Sequence, residues 1–308
     1  MPISRTDDGV MALRNAGGRA WLSWLMLCAA AAHAEIRVVD DSGQEVVLNA
    51  PARRIVSLAP HVTESLFEAG AGRFIVGAVK YSDYPEAAKG IPRVGDNALL
   101  DMERIVSLKP DLIVVWLHGN SEKHLAQIRK LGIPMFYDRP GTLAQIPSTL
   151  LRLGALAGTD AEARKAADAF LERLRAMEAR YSRRPAVPLF FQVWQKPLLT
   201  INGTQIISDV IRMCGGRNIF ADERLLVPTV DVEAVVSANP EAVVRTGKAS
   251  DSQSAFDLWR KLPNFRPTAS GNLIFLETDS LGRNSPRILD GAAMMCEELE
   301  GVRARRAS

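Results

Sequence analysis

The chain has 308 residues, of which 47% are hydrophobic and 24% are charged, and its net charge is +3 at neutral pH. This length corresponds to about two domains, and the hydrophobic content is ordinary for a globular chain with sizeable cores. Acidic and basic residues are interspersed, apart from a short basic tail of Arg303, Arg305 and Arg306 that we expect to be solvated and disordered. This composition lacks the basic footprint of a nucleic-acid-binding protein.

The N-terminus has the pattern of a secretory signal peptide. Arg14 and Arg19 precede an apolar stretch over residues 21–32, and a small-x-small triplet ends at Ala34. We therefore expect cleavage before Glu35. A membrane span is the alternative, but the apolar stretch is shorter than the ~20 residues that a bilayer requires.

Two details of this segment stay open. Residues 1–10 are polar and include two aspartates, which is unusual for the start of a signal peptide, so Met11 is an alternative translation start. Cys28 raises the alternative of a lipoprotein anchor, although Leu27 occupies the preceding position, where a small residue is expected.

The mature chain would keep two cysteines, Cys214 and Cys296, because Cys28 lies in the signal segment. An even count in an exported, oxidising context favours a disulfide. Two buried thiols are the alternative, since bridge formation depends on the distance between the two backbones.

Residues 35–158 alternate short β-branched runs with helical segments, which predicts parallel strands joined by crossover helices. Strands are predicted at residues 54–58, 74–79, 112–116 and 134–137, and helices at about 63–69, just after residue 101, and at 122–131. We interpret this part of the chain as an N-terminal lobe.

An internal repeat is the most informative feature of the chain. The pattern Asp-x-Glu-x-apolar-Val-Ser-x-x-Pro-acid begins at Asp101 and again at Asp231, and an apolar run follows each copy. Each copy predicts a helix capped by the aspartate, with Glu103 or Glu233 in its first turn, where the helix dipole favours negative charge. The proline then ends the helix before a buried strand. The repeat predicts two similar lobes that hold a ligand between them, with a matching glutamate on each.

A nearly continuous helical pattern over residues 160–181 predicts a linker helix, assigned to residues 159–183, that spans roughly 30 Å. A single connecting helix would make a stiff hinge, so large domain closure is not expected. Residues 184–302 form the predicted C-terminal lobe, followed by the basic tail 303–308. Its further elements are a strand from residue 188, helices at 205–213, near 256–261 and from about 286 to 299, and a strand at 273–277. The predicted fold class is α/β, with two doubly wound (Rossmann-like) lobes.

Ligands of open parallel sheets bind beyond the carboxyl ends of the strands. The residues in this position of the N-terminal lobe are His61, Tyr81, Tyr84, Trp116 and His118. Aromatic residues at strand ends more often serve packing, but several on one rim favour ligand contact.

The strand ends of the C-terminal lobe lead into two further segments, residues 194–199 and 277–287. The second contains Asp279 and Arg283, before a helix start marked by Ser285-Pro286. A local salt bridge or cap is one interpretation of this pair, and polar specificity for a ligand rich in amides or carboxylates is the other.

Several segments together resemble the periplasmic vitamin B12 binding proteins of ABC importers, a receptor family with a helical backbone. The segments are RIVSLAPHVTESLFEAG, YSDYP, DMERIVSLKPDLIVVW with its HGN tail, CGGRNIF and SPRILDGAAMMCEEL. The resemblance runs from about Arg54 to Leu299. YSDYP and the SPR helix are specific for the cobalamin branch, whereas the other segments are shared with haem and siderophore receptors.

The resemblance implies a corrinoid-binding cleft. It implies that Tyr81 and Trp116 pack against the corrin and that Asp279 and Arg283 supply polar contacts from the opposite lobe. His61 stands where the family has a small residue that lines the cleft. A histidine there has two interpretations, an axial ligand of cobalt or haem iron, or a structural histidine at a helix N-terminus, which the sequence favours.

Three aromatic positions of the family's cage are occupied here by Asn97, Leu199 and Val227. Each lost ring removes about 0.5–1.5 kcal/mol beyond simple burial. The resemblance therefore implies a corrinoid site with less aromatic area than is usual in the family, and it includes Leu199 among the ligand-binding positions.

The resemblance also assigns roles outside the cleft. Glu103 and Glu233 match the two surface acids that such receptors offer to arginines of the membrane permease, one on each lobe. Cys214 and Cys296 match the family's disulfide. The implied protein is a periplasmic monomer without a cofactor of its own, whose partners are a corrinoid and an ABC permease.

Three functional hypotheses follow. The first is a transport receptor for a corrinoid. The second is an enzyme on a doubly wound scaffold, but the sequence has no dinucleotide-binding, nucleophile-elbow, zincin or P-loop motif. The mature histidines show no metal-helix spacing except His118 and His124, which straddle a Gly-Asn turn. The third is a haem or ferric-siderophore receptor of the same fold.

Overall fold

The computed structural model describes residues 35–96, 98–117 and 119–306. These residues form two α/β lobes joined by one long helix, so the predicted fold class is confirmed. The signal peptide and the alternatives at its cysteine and start codon lie outside the described residues, as do Asn97 and His118.

The first lobe opens with a hairpin and continues with alternating strands and helices. Its elements are β1 (Ile36–Val39), β2 (Glu45–Leu48), β3 (Ile55–Ser57), α1 (Pro60–Glu68), β4 (Ile75–Ala78), α2 (Met102–Ser107), β5 (Leu112–Trp116), α3 (Glu122–Lys130), β6 (Met135–Asp138) and α4 (Ile146–Ala157). Helix α1 begins at Pro60, three residues before the predicted start, because proline suits the first turn, where its missing N–H has no partner to lose. The sequence-based prediction has no counterpart of β1, β2 or α4.

The linker helix α5 (Asp160–Tyr181) leads into the second lobe. The elements of this lobe are β7 (Val187–Phe191), β8 (Trp194–Gln195), β9 (Leu198–Leu199), α6 (Ile206–Met213), β10 (Gly216–Asn218), α7 (Val232–Ser237), β11 (Ala242–Gly247), α8 (Asp257–Arg260), α9 (Arg266–Ala269), β12 (Leu273–Glu277) and α10 (Ile288–Arg305). The predicted strands and helices of this lobe are present, with α9, β8, β9 and β10 in addition.

Both lobes have the same sheet topology. Within the described residues, each lobe holds a four-stranded sheet, in the order β4-β3-β5-β6 in the first and β10-β7-β11-β12 in the second. All neighbouring strands in both sheets are parallel. In both sheets the strand that comes second in the chain lies at one edge. The strands that come first, third and fourth in the chain then follow in that order across the sheet. The internal repeat therefore reflects a duplicated architecture.

The repeat helices α2 and α7 are capped as the sequence predicts. The carboxylates of Asp101 and Asp231 each accept a hydrogen bond from the backbone N–H three residues later, at 2.9 and 2.6 Å. The likeness extends beyond each helix, where Lys109 and Asn239 both have a φ of 46°, in the left-handed region that few non-glycine residues adopt. The third sheet strand, β5 or β11, then begins in each lobe.

Helix α5 is anchored in the cores of both lobes. Ala163 and Ala167, in its first half, are buried in the core of the first lobe. Phe170, at its middle, and Leu174, in its second half, are buried in the core of the second lobe. A helix held at both ends by packed side chains resists bending, which supports the prediction of a stiff connection.

The C-terminal basic residues belong to helix α10, and the expectation of a solvated, disordered tail at these positions is wrong. The apolar face of the helix continues through Leu299 and Val302, both buried. The guanidinium of Arg303 donates to the carbonyls of Cys214 and Gly215 at 2.8 and 2.9 Å. These contacts hold the last turns of the helix against the second lobe.

Cys214 and Cys296 form a disulfide between the end of α6 and helix α10, which confirms the predicted bridge. Both cysteines are fully buried in the second-lobe core, and they are 82 positions apart in sequence. We expect mature protein that is denatured without reductant to show no titratable thiol, and two thiols after reduction. Ellman titration of the denatured protein checks this, and two thiols before reduction would contradict it.

Candidate functional site

A cleft lies where the carboxyl ends of the first-lobe strands meet the second lobe. A cavity of about 290 Å³ is lined by residues that follow β3, β4 and β5, and by Gly282 and Arg283 of the second lobe. His61, Tyr81 and Trp116 are among the lining residues from the first lobe. The structure therefore brings four of the predicted site residues together in one place, which we call the first cavity.

A second cavity of about 280 Å³ adjoins the first. Trp116 and Gly282 line both. The other walls of the second cavity include Arg139 from the first lobe and Leu226 and Val227 from the second. Trp116 thus stands between two halves of one interlobe cleft.

The position of Trp116 is determined by its neighbours at the end of β5. Its backbone N–H donates to Asn120 Oδ1 at 2.8 Å, and Asn120 Nδ2 donates to the carbonyl of Leu58 at 3.0 Å, which ties the end of β5 to the end of β3. A Cβ at Gly119 would lie 1.8 Å from the indole ring, so glycine is required for the ring to lie over this turn. About 36% of the tryptophan surface is exposed, which leaves part of the ring available to a ligand.

Tyr81 lies on the rim of the first cavity in an unusual conformation. Its φ is 65° and 68% of its surface is exposed. Bulky residues rarely adopt the left-handed region, and such strain concentrates at ligand-binding and catalytic sites. Its carbonyl accepts a hydrogen bond from Arg283 Nη1 at 3.3 Å, so the rim of one lobe contacts the other.

A buried ion pair joins the two lobes beside the cleft. Glu64 of α1 is 3% exposed and accepts hydrogen bonds from Arg287 Nη2 at 2.8 Å and from Ser285 Oγ at 2.5 Å, both in the second lobe. The guanidinium of Arg287 also lies 4.4 Å from the ring centre of Tyr84. A second polar contact across the lobes runs from Asn284 Nδ2 to the carbonyl of Pro140 at 3.0 Å.

Asp279 extends this network towards the solvent. It pairs with Arg283 at 2.9 Å and with Arg287 at 3.1 Å. Partial burial acts to raise the pKa of Asp279, but the two guanidinium groups outweigh burial and hold the pKa below its ordinary value. Burial likewise acts to lower the pKa of Arg287, but the carboxylates of Glu64 and Asp279 outweigh it and raise the pKa. Asp279 and Arg287 therefore both stay charged at neutral pH.

His61 lies in the first turn of α1 and is 5% exposed. Its Nε2 is 3.4 Å from Oδ2 of Asp138, a fully buried residue at the end of β6. Neither this nitrogen nor either carboxylate oxygen of Asp138 makes a hydrogen bond to another described residue. The imidazole ring meets Trp116 edge to face, with ring centres 5.4 Å apart.

The remaining predicted cleft residues are placed differently. Asp279 contacts the first cavity through Arg283. Among the residues described, Leu199 lines neither cavity, and it pairs with Trp194 in the β8–β9 hairpin. Val227, also at a position where the resemblance implies a lost ring, lines the second cavity and is 42% exposed.

Glu103 and Glu233 occupy equivalent places on the two lobes. Each lies in the first turn of its repeat helix and is exposed to solvent. Neither forms an ion pair with another residue in the part of the chain that the structure describes. An apolar residue three positions later, Val106 or Val236, is also exposed in each lobe, at 48% and 41%.

The sequence reasoning missed the residues that support the cleft from behind. Glu64 and Arg287 join the lobes, Asn120 positions Trp116, and Asp138 lies behind His61. A weak signal was present for Asp138, since an acidic residue directly after an apolar run occupies a strand's carboxyl end. No comparable signal marked Glu64, which stands in the middle of an apolar helix.

Two negative findings apply to residues 35–96, 98–117 and 119–306. Within these ranges no helix has the length and apolar character to cross a membrane. The same ranges contain no group of three or more histidine, cysteine or acidic side chains arranged to hold a metal ion.

Two lobes of one topology, a single connecting helix and an interlobe cleft at the strand ends define a two-lobed binding protein. Residues 55–268 match the family described as periplasmic binding protein, and the chain belongs to this family.

Similar proteins that cover most of the chain agree with this placement. A vitamin B12-binding protein of Vibrio parahaemolyticus is 33% identical over 259 residues, which are 84% of this chain and 93% of that protein. A vitamin B12-binding protein of Yersinia pestis is 36% identical over 251 residues, which are 82% of this chain and 88% of that protein. The crystal structure of the periplasmic vitamin B12 binding protein BtuF of Vibrio cholerae superposes with a TM-score of 0.75 at 32% identity, covering 82% of this chain and 98% of that one.

Haem-binding proteins share the fold at lower identity. A periplasmic heme-binding protein from Pseudomonas aeruginosa superposes with a TM-score of 0.70 at 24% identity, over 80% of this chain and 91% of that one. This likeness establishes the common architecture alone.

Proposed function

We propose that the protein is a periplasmic receptor that captures a corrinoid, cobalamin or a close relative, between its two lobes and delivers it to an ABC importer. The observation that supports this most is the 33–36% identity, over more than four fifths of the chain, to proteins named for vitamin B12 binding. The protein acts as a transport receptor rather than an enzyme, and the corrinoid is its cargo. The segment before Glu35 directs export and is removed, and the mature protein works as a monomer.

The chemistry of the cleft suits a flat, amide-rich macrocycle. The half-exposed rings of Tyr81 and Trp116 offer apolar faces to the ring system, and apolar burial provides most of the free energy of binding. Arg283 and Asp279, which pair with each other, hydrogen-bond the peripheral amides of the ligand. Both interaction types act without bond making or breaking, as transport requires.

The test is calorimetric titration of the mature protein with cyanocobalamin, dicyanocobinamide and haemin in parallel. We expect saturable binding of at least one corrinoid with a stoichiometry near one. Binding of haemin alone would reject the proposal and favour a haem receptor. The visible absorbance of the protein as purified gives a second readout, since corrinoids and haem have distinct bands.

The Trp116→Ala variant is expected to bind the corrinoid about 1–3 kcal/mol more weakly, because apolar contact area is lost from the cleft wall. The fold should persist, since the ring is already partly exposed. Calorimetry measures the affinity, and thermal unfolding followed by circular dichroism checks the fold. Trp116→Phe, which keeps an aromatic face, serves as the matched control and should retain most of the affinity. Normal binding by Trp116→Ala, or failure to fold, would place this tryptophan in the core instead.

The docking surface for the permease is proposed to include Glu103 and Glu233. A crossover helix between parallel strands runs antiparallel to them, so the first turns of α2 and α7 lie towards the carboxyl edges of the sheets. The cleft opens at the same edges. Two exposed glutamates on one face, flanking the cleft, match a pair of arginines on a two-fold symmetric permease, each able to form a bidentate hydrogen bond.

An apolar groove adjoins Glu103 and strengthens this assignment. Met102, Val106 and Leu131, from α2 and the end of α3, are among the residues that line it. The occupant that fits this surface is a periplasmic loop of the permease with an arginine next to an apolar side chain, because the glutamate attracts a positive charge and the groove is lined mainly by apolar surface. Central apolar contacts beside a charge pair are typical of energetically important interface positions.

A further inference from the structure

His61 and Asp138 form a buried polar pair that the cleft described so far does not use. His61 is 5% exposed, Asp138 is fully buried, and Nε2 lies 3.4 Å from Oδ2. Buried polar groups in folded proteins are nearly always hydrogen-bonded, because an unpaired one costs about 1–3 kcal/mol. Here the Nε2 atom and both carboxylate oxygens lack a hydrogen-bond partner among the described residues. The carboxylate of Asp138 therefore faces the imidazole without a hydrogen bond to any other described residue, as the carboxylate behind a ligating histidine would.

The pair lies at the base of the cleft. Asp138 ends β6 and stands beside Trp116 of β5 in the sheet register. The side chain of His61 lines the first cavity together with Tyr81 and Arg283. Only a small part of the imidazole reaches this cavity, which suits a contact through one atom rather than stacking on a ring.

The orientation of the His61 imidazole determines which of its two nitrogens can bind a metal. An Nε2 that faces a carboxylate favours the tautomer with the proton on Nε2, which places the ligating lone pair on Nδ1. Metal-ligating histidines commonly donate their other N–H to a carboxylate, which fixes the tautomer and raises the basicity of the ligating nitrogen. The His61–Asp138 pair likewise places a carboxylate beside Nε2.

We propose that Nδ1 of His61 is an axial ligand of the cobalt of a bound corrinoid, with Asp138 as the residue that positions the imidazole. This inference rests on the proposed function. The corrin ring supplies the four equatorial nitrogens, so one histidine is sufficient and no cluster of protein ligands is needed. The preferred cargo is accordingly a corrinoid with an exchangeable axial position, such as a cobinamide or a cobalamin whose lower base has dissociated.

The ligation step is a simple exchange. A water molecule leaves the cobalt, and the lone pair of Nδ1 forms the new cobalt–nitrogen bond. The Nε2 proton stays on the ring, facing Asp138, and the oxidation state of the cobalt does not change. Transport would reverse the same exchange at the permease.

Visible and electron paramagnetic resonance spectra of bound corrinoids test the proposal. Diaquocobinamide, whose axial waters exchange, should change its visible bands when it binds to wild-type protein. Dicyanocobinamide, whose axial positions are both occupied by cyanide, should bind without this change. Reduced to the Co(II) state, bound cobinamide should show splitting from one axial nitrogen nucleus. These measurements on the wild-type protein need no variant.

Variants then test whether His61 supplies the axial nitrogen. His61→Ala should abolish the band change and the nitrogen splitting. Asp138→Asn should weaken diaquocobinamide binding by about 10- to 100-fold, as is usual for residues behind a metal ligand. His124→Ala, on the surface helix α3, serves as the matched control and should behave as wild type.

Two results would overturn the inference. Diaquocobinamide could bind to the wild-type protein with an unchanged spectrum, or the spectral change could persist in His61→Ala. Either result, with dicyanocobinamide bound normally, would leave the corrinoid receptor intact and reject the axial ligand alone. Failure of every corrinoid to bind would reject the proposed function, and this inference with it.

Discussion

The double variant Glu103→Ala/Glu233→Ala is expected to bind its ligand with wild-type affinity and to abolish stimulation of the transporter's ATPase. The two glutamates are exposed, lie outside both cavities and occupy equivalent first-turn positions on the two lobes. Removing them would leave two permease arginines without partners across an otherwise intact interface, which typically costs about 2–5 kcal/mol for each buried pair. The measurement is ATP hydrolysis by the reconstituted importer, with calorimetry of ligand binding alongside.

Helix capping is the competing role for these glutamates, and it predicts a different outcome. A first-turn glutamate that serves only the helix dipole contributes a few tenths to about 1 kcal/mol of stability. Glu162→Ala, which removes a first-turn glutamate of the linker helix, is the matched control and should leave ATPase stimulation intact. Added salt should weaken the wild-type effect, because salt screens the attraction between charges that are exposed before docking. Full stimulation by the double variant at every ionic strength would reduce the pair to helix-stabilising residues.

Glu64→Ala is expected to lower the free energy of unfolding by about 3–5 kcal/mol, the usual effect of removing one partner from a buried ion pair. The variant leaves Arg287 without its bidentate carboxylate and Ser285 without its acceptor, in a buried contact between the lobes. Asp279 still pairs with Arg287, so the lower end of the range is expected. Urea unfolding at neutral pH measures the change.

A neighbouring glutamate on the same helix provides the control. Glu68 lies one turn after Glu64 and is exposed, and it forms no ion pair with a residue that the structure describes. Glu68→Ala should change stability by less than about 0.5 kcal/mol, as is usual for surface substitutions. Equal stability of both variants would mean that water replaces the carboxylate of Glu64 at little cost, and that the interlobe ion pair does not hold the lobes together.

The interlobe contacts bear on how the receptor works. Helix α5 is packed into both cores, and the Glu64–Arg287 pair joins the lobes beside the cleft. These features leave little freedom for a wide hinge motion. Ligand entry is then a matter of side chains on the rim, chiefly the contact between Arg283 and the carbonyl of Tyr81, which a ligand would displace.

Much of the fold was predictable because its signals are local. Helix starts such as those of α2 and α7 depend on one capping aspartate, and buried parallel strands appear as short β-branched runs. The duplication was visible in the sequence because both lobes contain the same local structure, a capped helix followed by a buried strand. The pairing of Cys214 with Cys296 followed from their even number in an exported chain.

The sequence failed where a residue's environment comes from distant parts of the chain. The basic C-terminus was expected to be disordered because three arginines near a chain end resemble a solvated tail, yet Arg303 bonds to carbonyls that follow α6. The hairpin of β1 and β2 and helix α4 were missed altogether.

The sequence by itself determined the α/β class, the two lobes, the linker helix and the rim residues Tyr81 and Trp116, since each depends on periodicity, capping or position after a strand. Only the tertiary structure decided which polar groups meet. Glu64 and Arg287, or His61 and Asp138, are far apart in the chain, and no local pattern marks them as partners. Burial makes these pairings energetically important, because a charge or an imidazole inside the protein lacks the solvent partners that it would have at the surface.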